Sequence, residues 1–178
     1  GLIKINDEIY DYNNLPNNLK FSGDLNLKST NISSLPDNLE VNGNLDLEDT
    51  NITSLPDNLE VNGFLDLKYT NITSLPDNLK INGFLDIRNI NIKSLPDNLK
   101  IGSDLHLDNT NITELPNGLD VGGTLYLRNT KIKSLPDNLR VSRDLDISNT
   151  PLSKKYTENE IKQIINDKNG HVNKVLTK

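Results

Sequence analysis

The chain has 178 residues and a formal net charge of −6, a size that suits one domain with its own core. It contains no Cys, which excludes disulfides and thiol catalysis, and no run of about 18 apolar residues that would span a membrane. Only 34% of it is hydrophobic, a composition that would suit disorder if the apolar residues did not recur at fixed spacing.

Gly1 is no initiator, so the start reads as trimmed. The opening GLIKINDEIYDY sets Leu2, Ile3, Ile5, Ile9 and Tyr10 around Asn6-Asp7. This predicts a hairpin or strand pair that makes residues 1–14 an N-terminal cap.

From residue 15 to 150 the chain repeats with a period of 20 and no insertion, punctuated by Leu-Pro at 15-16, 35-36 and onward to 135-136. A fixed period of that size predicts a solenoid of about seven stacked coils. In one coil the constant apolar slots are Leu39, Val41, Leu45, Leu47, Ile52 and Leu55. Leu45 and Leu47 alternate with variable polar residues, which is strand periodicity. Leu39 and Val41 form a second short alternation, separated from the first by Gly43. Pro36, Asp37 and Asn38 supply a corner, and Asn tolerates positive φ. The Gly43 slot is expected to give a left-handed or bulged bend, although Ser103 and Arg143 occupy it in two coils. Thr50 has Thr counterparts in every coil except that of Ile90. Its hydroxyl is expected to bond backbone groups at the bend.

After Thr150 the repeat stops. Thr157 and Glu160 make a T-x-x-E capping box, Ile161, Ile164 and Ile165 share a face, and Gly170 follows. These predict a helix over about 157–169 inside a C-terminal cap of residues 151–178, with HVNKVL as a last short strand.

The line L-x-L-x-x-T-x-I-x-x-L-P-x-x-L, from Leu45 to Leu59, resembles the short leucine-rich repeats of bacterial and phage proteins. The resemblance covers about residues 15–150. It implies recognition of a partner, usually a protein, through the sheet face, and it carries no activity; a right-handed parallel solenoid is expected from the general handedness of parallel crossovers. The segment from Leu59 to Leu65 is longer than that family's usual spacing. Two forms stay open, a curved horseshoe and a flatter coil with two strands.

The slots beside the inward Leu pair are predicted to point outward. The first column includes Phe64 and Phe84; the second Asp46, Asp66, Asp86, His106 and Tyr126; the third Lys68, Arg88 and Arg128. Two of only three Phe residues in polar outward slots, with Tyr69 and Ile90 close by, read as an apolar patch ringed by charge, which is how an interaction site looks. A cross-strand Phe64–Phe84 pair that merely packs is the plain alternative. The partner-binding set is therefore Phe64, Phe84, Asp66, Asp86, Arg88, His106, Tyr126, Arg128 and Tyr69. The stacked Asp46, Asp66 and Asp86 need relief from repulsion, by a cation or, more simply, by Lys68 and Arg88.

No catalytic motif accompanies these residues, and His106 stands without a metal-ligating cluster. No cofactor and no enzymatic role are expected. Residues 151–178 hold six Lys against three acids, leaving the remainder at −9, so an acidic solenoid should repel nucleic acid. The sequence thus favours a monomeric protein-binding module. The alternatives are a structural or fibre-type spacer and an ice- or carbohydrate-binding solenoid. Thr53, Thr73 and Thr113 suggest the last, but Lys93 and Lys133 interrupt their row.

Overall fold

The structure, a computed structural model, describes every residue except Asn6 and Asp7. The repeat builds a parallel β-solenoid in which each coil contributes two short strands. Of the two forms left open, the two-stranded coil is the one adopted. Coils are numbered from coil 1 (15–34) to coil 7 (135–154). The first ladder stacks Lys20–Phe21, Glu40–Val41, Glu60–Val61, Lys80–Ile81, Lys100–Ile101 and Asp120–Val121. The second stacks Leu25–Asn26, Leu45–Asp46, Leu65–Asp66, Leu85–Asp86, Leu105–His106 and Leu125–Tyr126. Every pairing is parallel with a register of 20 residues, for example Leu45↔Leu65 and Val41↔Val61.

Six coils are complete, and the two ladders meet in coil 7. There one continuous strand, Arg140–Asp146, pairs with both. Coil 7 is also the one that carries Arg143 in the glycine slot. In the earlier coils the slot does not supply a left-handed bend. Among the described glycines only Gly118 has positive φ. The slot is small because successive coils touch there: a Cβ on Gly83 would lie 2.4 Å from the Gly63 carbonyl oxygen.

The core is one column of aliphatic side chains. The inward Leu of the second ladder is fully buried in every coil, from Leu25 to Leu145, and each such side chain contributes about 1.5–3 kcal/mol before entropy is subtracted. Two corners hold the coil in shape. At the first, Asn18, Asn38, Asn58, Asn98 and Asn138 have φ between 54° and 60°, the left-handed region Asn visits at low cost. At the second, each Thr hydroxyl donates to the carbonyl three residues back, as Thr50 does to Leu47 at 2.8 Å and Thr110 to Leu107 at 2.7 Å. Ile90 has no hydroxyl and is buried, so it belongs to the core rather than to an exposed patch. Amide ladders tie coils together outside, including Asn62 to Asn42 at 2.9 Å and Asn82 to Asn62 at 2.6 Å.

The ends differ. Leu2–Ile5 pairs antiparallel with Glu8–Asp11 as a separate sheet, which is the predicted strand pair. Its expected turn at Asn6-Asp7 lies outside the described residues. At the other end, helix α1 (Pro151–Lys155) was not foreseen, although its signal is written: Thr150 caps it, Pro151 opens it and Ser153 completes a capping box. Helix α2 spans Glu158–Asp167 with the Thr157/Glu160 box in place. The residue in the left-handed region after it is Asn169, at φ 57°, not Gly170. Strand His171–Leu176 then pairs with Arg140–Asp146. The Asn138 amide donates to the Lys168 carbonyl as Gly118 does to Asp137. Residues 168–172 thus occupy the slots of residues 137–141, and the cap is a disguised half coil that pairs the last edge.

Candidate functional site

The outward slots of the second ladder are positioned by a local device. In the second column each Asp Oδ1 accepts the amide of the residue two further on: Glu48 to Asp46 at 3.0 Å, Lys68 to Asp66 at 3.0 Å, Arg88 to Asp86 at 3.2 Å and Ser148 to Asp146 at 3.0 Å. Asn26 does the same for Lys28. These Asx turns steer the strand into the corner, so the Asp row is first a structural element. Asp66 and Asp86 are buried, at 8% and 3% exposure, further in than outward residues were expected to lie.

Cations cover them. Arg88 grips Asp86 through Nε and Nη2, the latter at 2.6 Å. Lys68 lies 3.1 Å from Asp66, 3.3 Å from Glu48 and 4.0 Å from Asp86, and Lys28 lies 2.8 Å from Glu48. Asp46, Glu48 and Asp66 converge to within 4.8 Å, but the Lys28 and Lys68 ammonium groups already serve as their counter-ions. The Lys28 contact holds the Glu48 carboxyl below its usual range. Burial pushes Asp66 up despite Lys68.

His106 and Tyr126 replace Asp in coils 5 and 6. There Asp108, buried at 3% exposure, takes over: it accepts the Arg128 amide at 2.8 Å and its guanidinium at 2.9 Å. Sequence reasoning left Asp108 out of the site. Opposite charges 20 residues apart, in the same slot of neighbouring coils, were the signal that could have found it.

The aromatic residues form a continuous file. Phe64 and Phe84 stack with centroids 4.8 Å apart and planes at 13°. Phe84 meets the edge of His106 at 6.0 Å. His106 stacks on Tyr126 at 4.5 Å and 8°, and the Arg128 guanidinium lies 5.4 Å from the Tyr126 centroid. All four rings are half-buried. His106 Nδ1 is buried with no hydrogen-bond partner, and burial lowers the pKa of the ring.

Tyr69 stands outside this file, at the corner beyond Lys68. Its φ is 58°, in a slot where the other coils place Ser29, Asp49, Asn89, Asn109, Asn129 and Asn149, all with positive φ. Asn, Asp and Ser are small polar residues; a tyrosine there is strained. Tyr69 is also 58% exposed, one of three large hydrophobic side chains so placed among the described residues.

The structure therefore brings Phe64, Phe84, His106, Tyr126 and Arg128 into one strip, with Asp66, Asp86 and Arg88 as its charged flank and Tyr69 at its margin. No helix of the described chain is long and apolar enough to cross a membrane. Comparison with protein-family models finds no match, and comparison with curated proteins finds no similar sequence.

Proposed function

We propose that this chain is a non-enzymatic protein-binding module, a leucine-rich-repeat-like solenoid that docks a partner protein on the strip from Phe64 to Tyr126. One observation carries the reading. Four aromatic rings run unbroken through coils 3 to 6: Phe64 and Phe84 in the slot where other coils hold Asp24, Asn44 and Asp144, and His106 and Tyr126 in the slot where others hold Asn26, Asp46 and Asp146. A half-exposed aromatic file ringed by charge is the composition of a binding hot spot.

The acidic solenoid argues against nucleic acid as the ligand.

The test is affinity capture from the source or host, with wild type beside a Phe64→Asp/Phe84→Asp variant whose fold is checked by circular dichroism. A partner held by wild type and lost by the folded variant supports the reading. A partner retained by the folded variant, or none captured, shifts the role to the rod itself as a structural spacer.

A further inference from the structure

The outward slot of the first ladder is charged in every coil: Lys20, Glu40, Glu60, Lys80, Lys100, Asp120 and Arg140. From coil 1 to coil 6 the signs run plus, minus, minus, plus, plus, minus. Read backwards, every sign is inverted: Lys20 answers Asp120, Glu40 answers Lys100 and Glu60 answers Lys80. Such a row complements a second copy of itself laid antiparallel.

Within one chain the row is poorly matched. Glu40 and Glu60 are register partners, and like charges directly opposite on neighbouring strands are destabilising. Lys80 and Lys100 repeat the conflict in coils 4 and 5. Lys20 reaches Glu40 at 2.6 Å and Lys80 reaches Glu60 at 3.4 Å. No ion pair among the described residues uses Lys100 or Asp120, although these two are register partners. The three Lys are exposed and Glu40, Glu60 and Asp120 half-buried, so the row stands at the surface.

The next outward slot, two residues on, has the matching shape. It holds Ser22, Asn42, Asn62, Asn82, Gly102 and Gly122, all exposed. In the same antiparallel order Ser22 meets Gly122 and Asn42 meets Gly102, each time a side chain against an empty slot. Only Asn62 and Asn82 meet as side chains, and amides can both donate to and accept from one another. On the other side, Asp37, Asp57, Asp77 and Asp97 lie in the turn before each strand. They would face like charge, which confines the contact to the strands.

We propose that the first ladder is a self-association surface whose occupant is a second copy of this chain. The two solenoids run antiparallel about a two-fold axis between coils 3 and 4, which makes the contact isologous. Glu60 pairs with Lys80, Glu40 with Lys100 and Lys20 with Asp120 of the second copy, each pair occurring twice. The row spans five strand steps, about 24 Å. A contact this narrow and polar belongs to the weak class of specific interfaces, so the dimer forms at high concentration, where the sequence alone suggested a monomer. The inference does not rest on the aromatic strip.

Sedimentation equilibrium of the full chain, up to about 1 mM protein, tests it. In salt of about 0.15 M the Debye length of about 8 Å screens the repulsion between two net-negative chains but spares contact pairs. Wild type should show a monomer–dimer equilibrium. Glu40→Lys and Lys100→Glu should each weaken it at least tenfold, with circular dichroism unchanged. In one chain the two positions are three coils apart, about 14 Å, too far to pair. The Glu40→Lys/Lys100→Glu double variant should nevertheless regain association. An equimolar mixture of the two single variants should also regain it, because each supplies the charge that the other lacks. The proposal is overturned if wild type stays monomeric across that range or if a single variant dimerises like wild type. It is equally overturned if the double variant or the mixture fails to regain association.

Discussion

Phe84 lies nearly flat on Phe64, with ring centroids 4.8 Å apart, the spacing of neighbouring strands. The rings thus stack at the pitch of the solenoid, without strain from the backbone. Each stabilises the other by about 0.5–1.5 kcal/mol beyond its burial.

Phe84 is the central ring, touching both Phe64 and His106. Phe84→Ala should therefore lower stability by less than the about 3–5 kcal/mol of a fully buried Phe, because the side chain is only half-buried. If the strip is a hot spot, the same change should weaken partner binding by 2 kcal/mol or about thirtyfold. Denaturant melts beside binding isotherms separate the two effects; a loss of stability with unchanged affinity would make the stack a packing device.

Tyr69 offers the opposite trade. Tyr69→Asn gives coil 3 the residue that coils 4 to 7 carry at that corner, and relief of the left-handed strain should raise stability by about 1 kcal/mol. A residue kept at a cost to stability, and exposed, suits a binding surface. The variant should therefore melt higher and bind the partner less tightly. A thermal scan and a binding titration on one preparation check both signs, and a variant that is no more stable removes the strain argument.

The inward columns, the Thr corner, the N-terminal strand pair and helix α2 were legible, because they rest on periodicity and capping chemistry that act within a few residues; helix α1 was not. The aromatic strip was legible as aromatic residues in variable outward slots that other coils fill with polar ones. The burial of Asp66 and Asp86 was not, since it comes from Lys68, Arg88 and the coils stacked on either side. The corner at Asn78 was hidden more deeply. Residues 74–81 and 94–101 have the same sequence, SLPDNLKI, yet Asn98 is left-handed and Asn78 is not. Identical local chemistry with two outcomes places the cause in the neighbouring coils.

His106 predicts a pH dependence. Its folded pKa is lowered by burial, while Asp86, Asp104 and Asp108 favour the charged ring and Arg88 opposes it. The unfolded chain then binds the proton more readily. Stability is full above the ordinary histidine range near 6.5 and falls as pH drops through the folded value. His106→Phe removes both the titration and the unpartnered Nδ1, whose burial costs about 1–3 kcal/mol. The variant should be as stable as wild type or more so at pH 7, and its advantage should widen between pH 6.5 and 5. Urea melts across that range would show an unchanged gap if His106 titrated normally.

Asp66 carries the opposite sign. Burial raises its folded pKa, so its contribution favours the folded state below the ordinary carboxylate range and is lost as pH rises through the folded value. Asp66→Asn keeps the acceptor for the Lys68 amide, as Asn26 does for Lys28, and removes a charge that burial disfavours. Lys68 retains Glu48 at 3.3 Å. The Asn variant should therefore match or exceed wild type at pH 7, with the difference shrinking toward pH 3. Asp66→Ala removes the acceptor as well and should cost about 1–2 kcal/mol at both pH values. If Asn and Ala destabilise equally at pH 7, the charge rather than the Asx turn holds this corner, and the Asp row would be an ion lattice first and a turn device second.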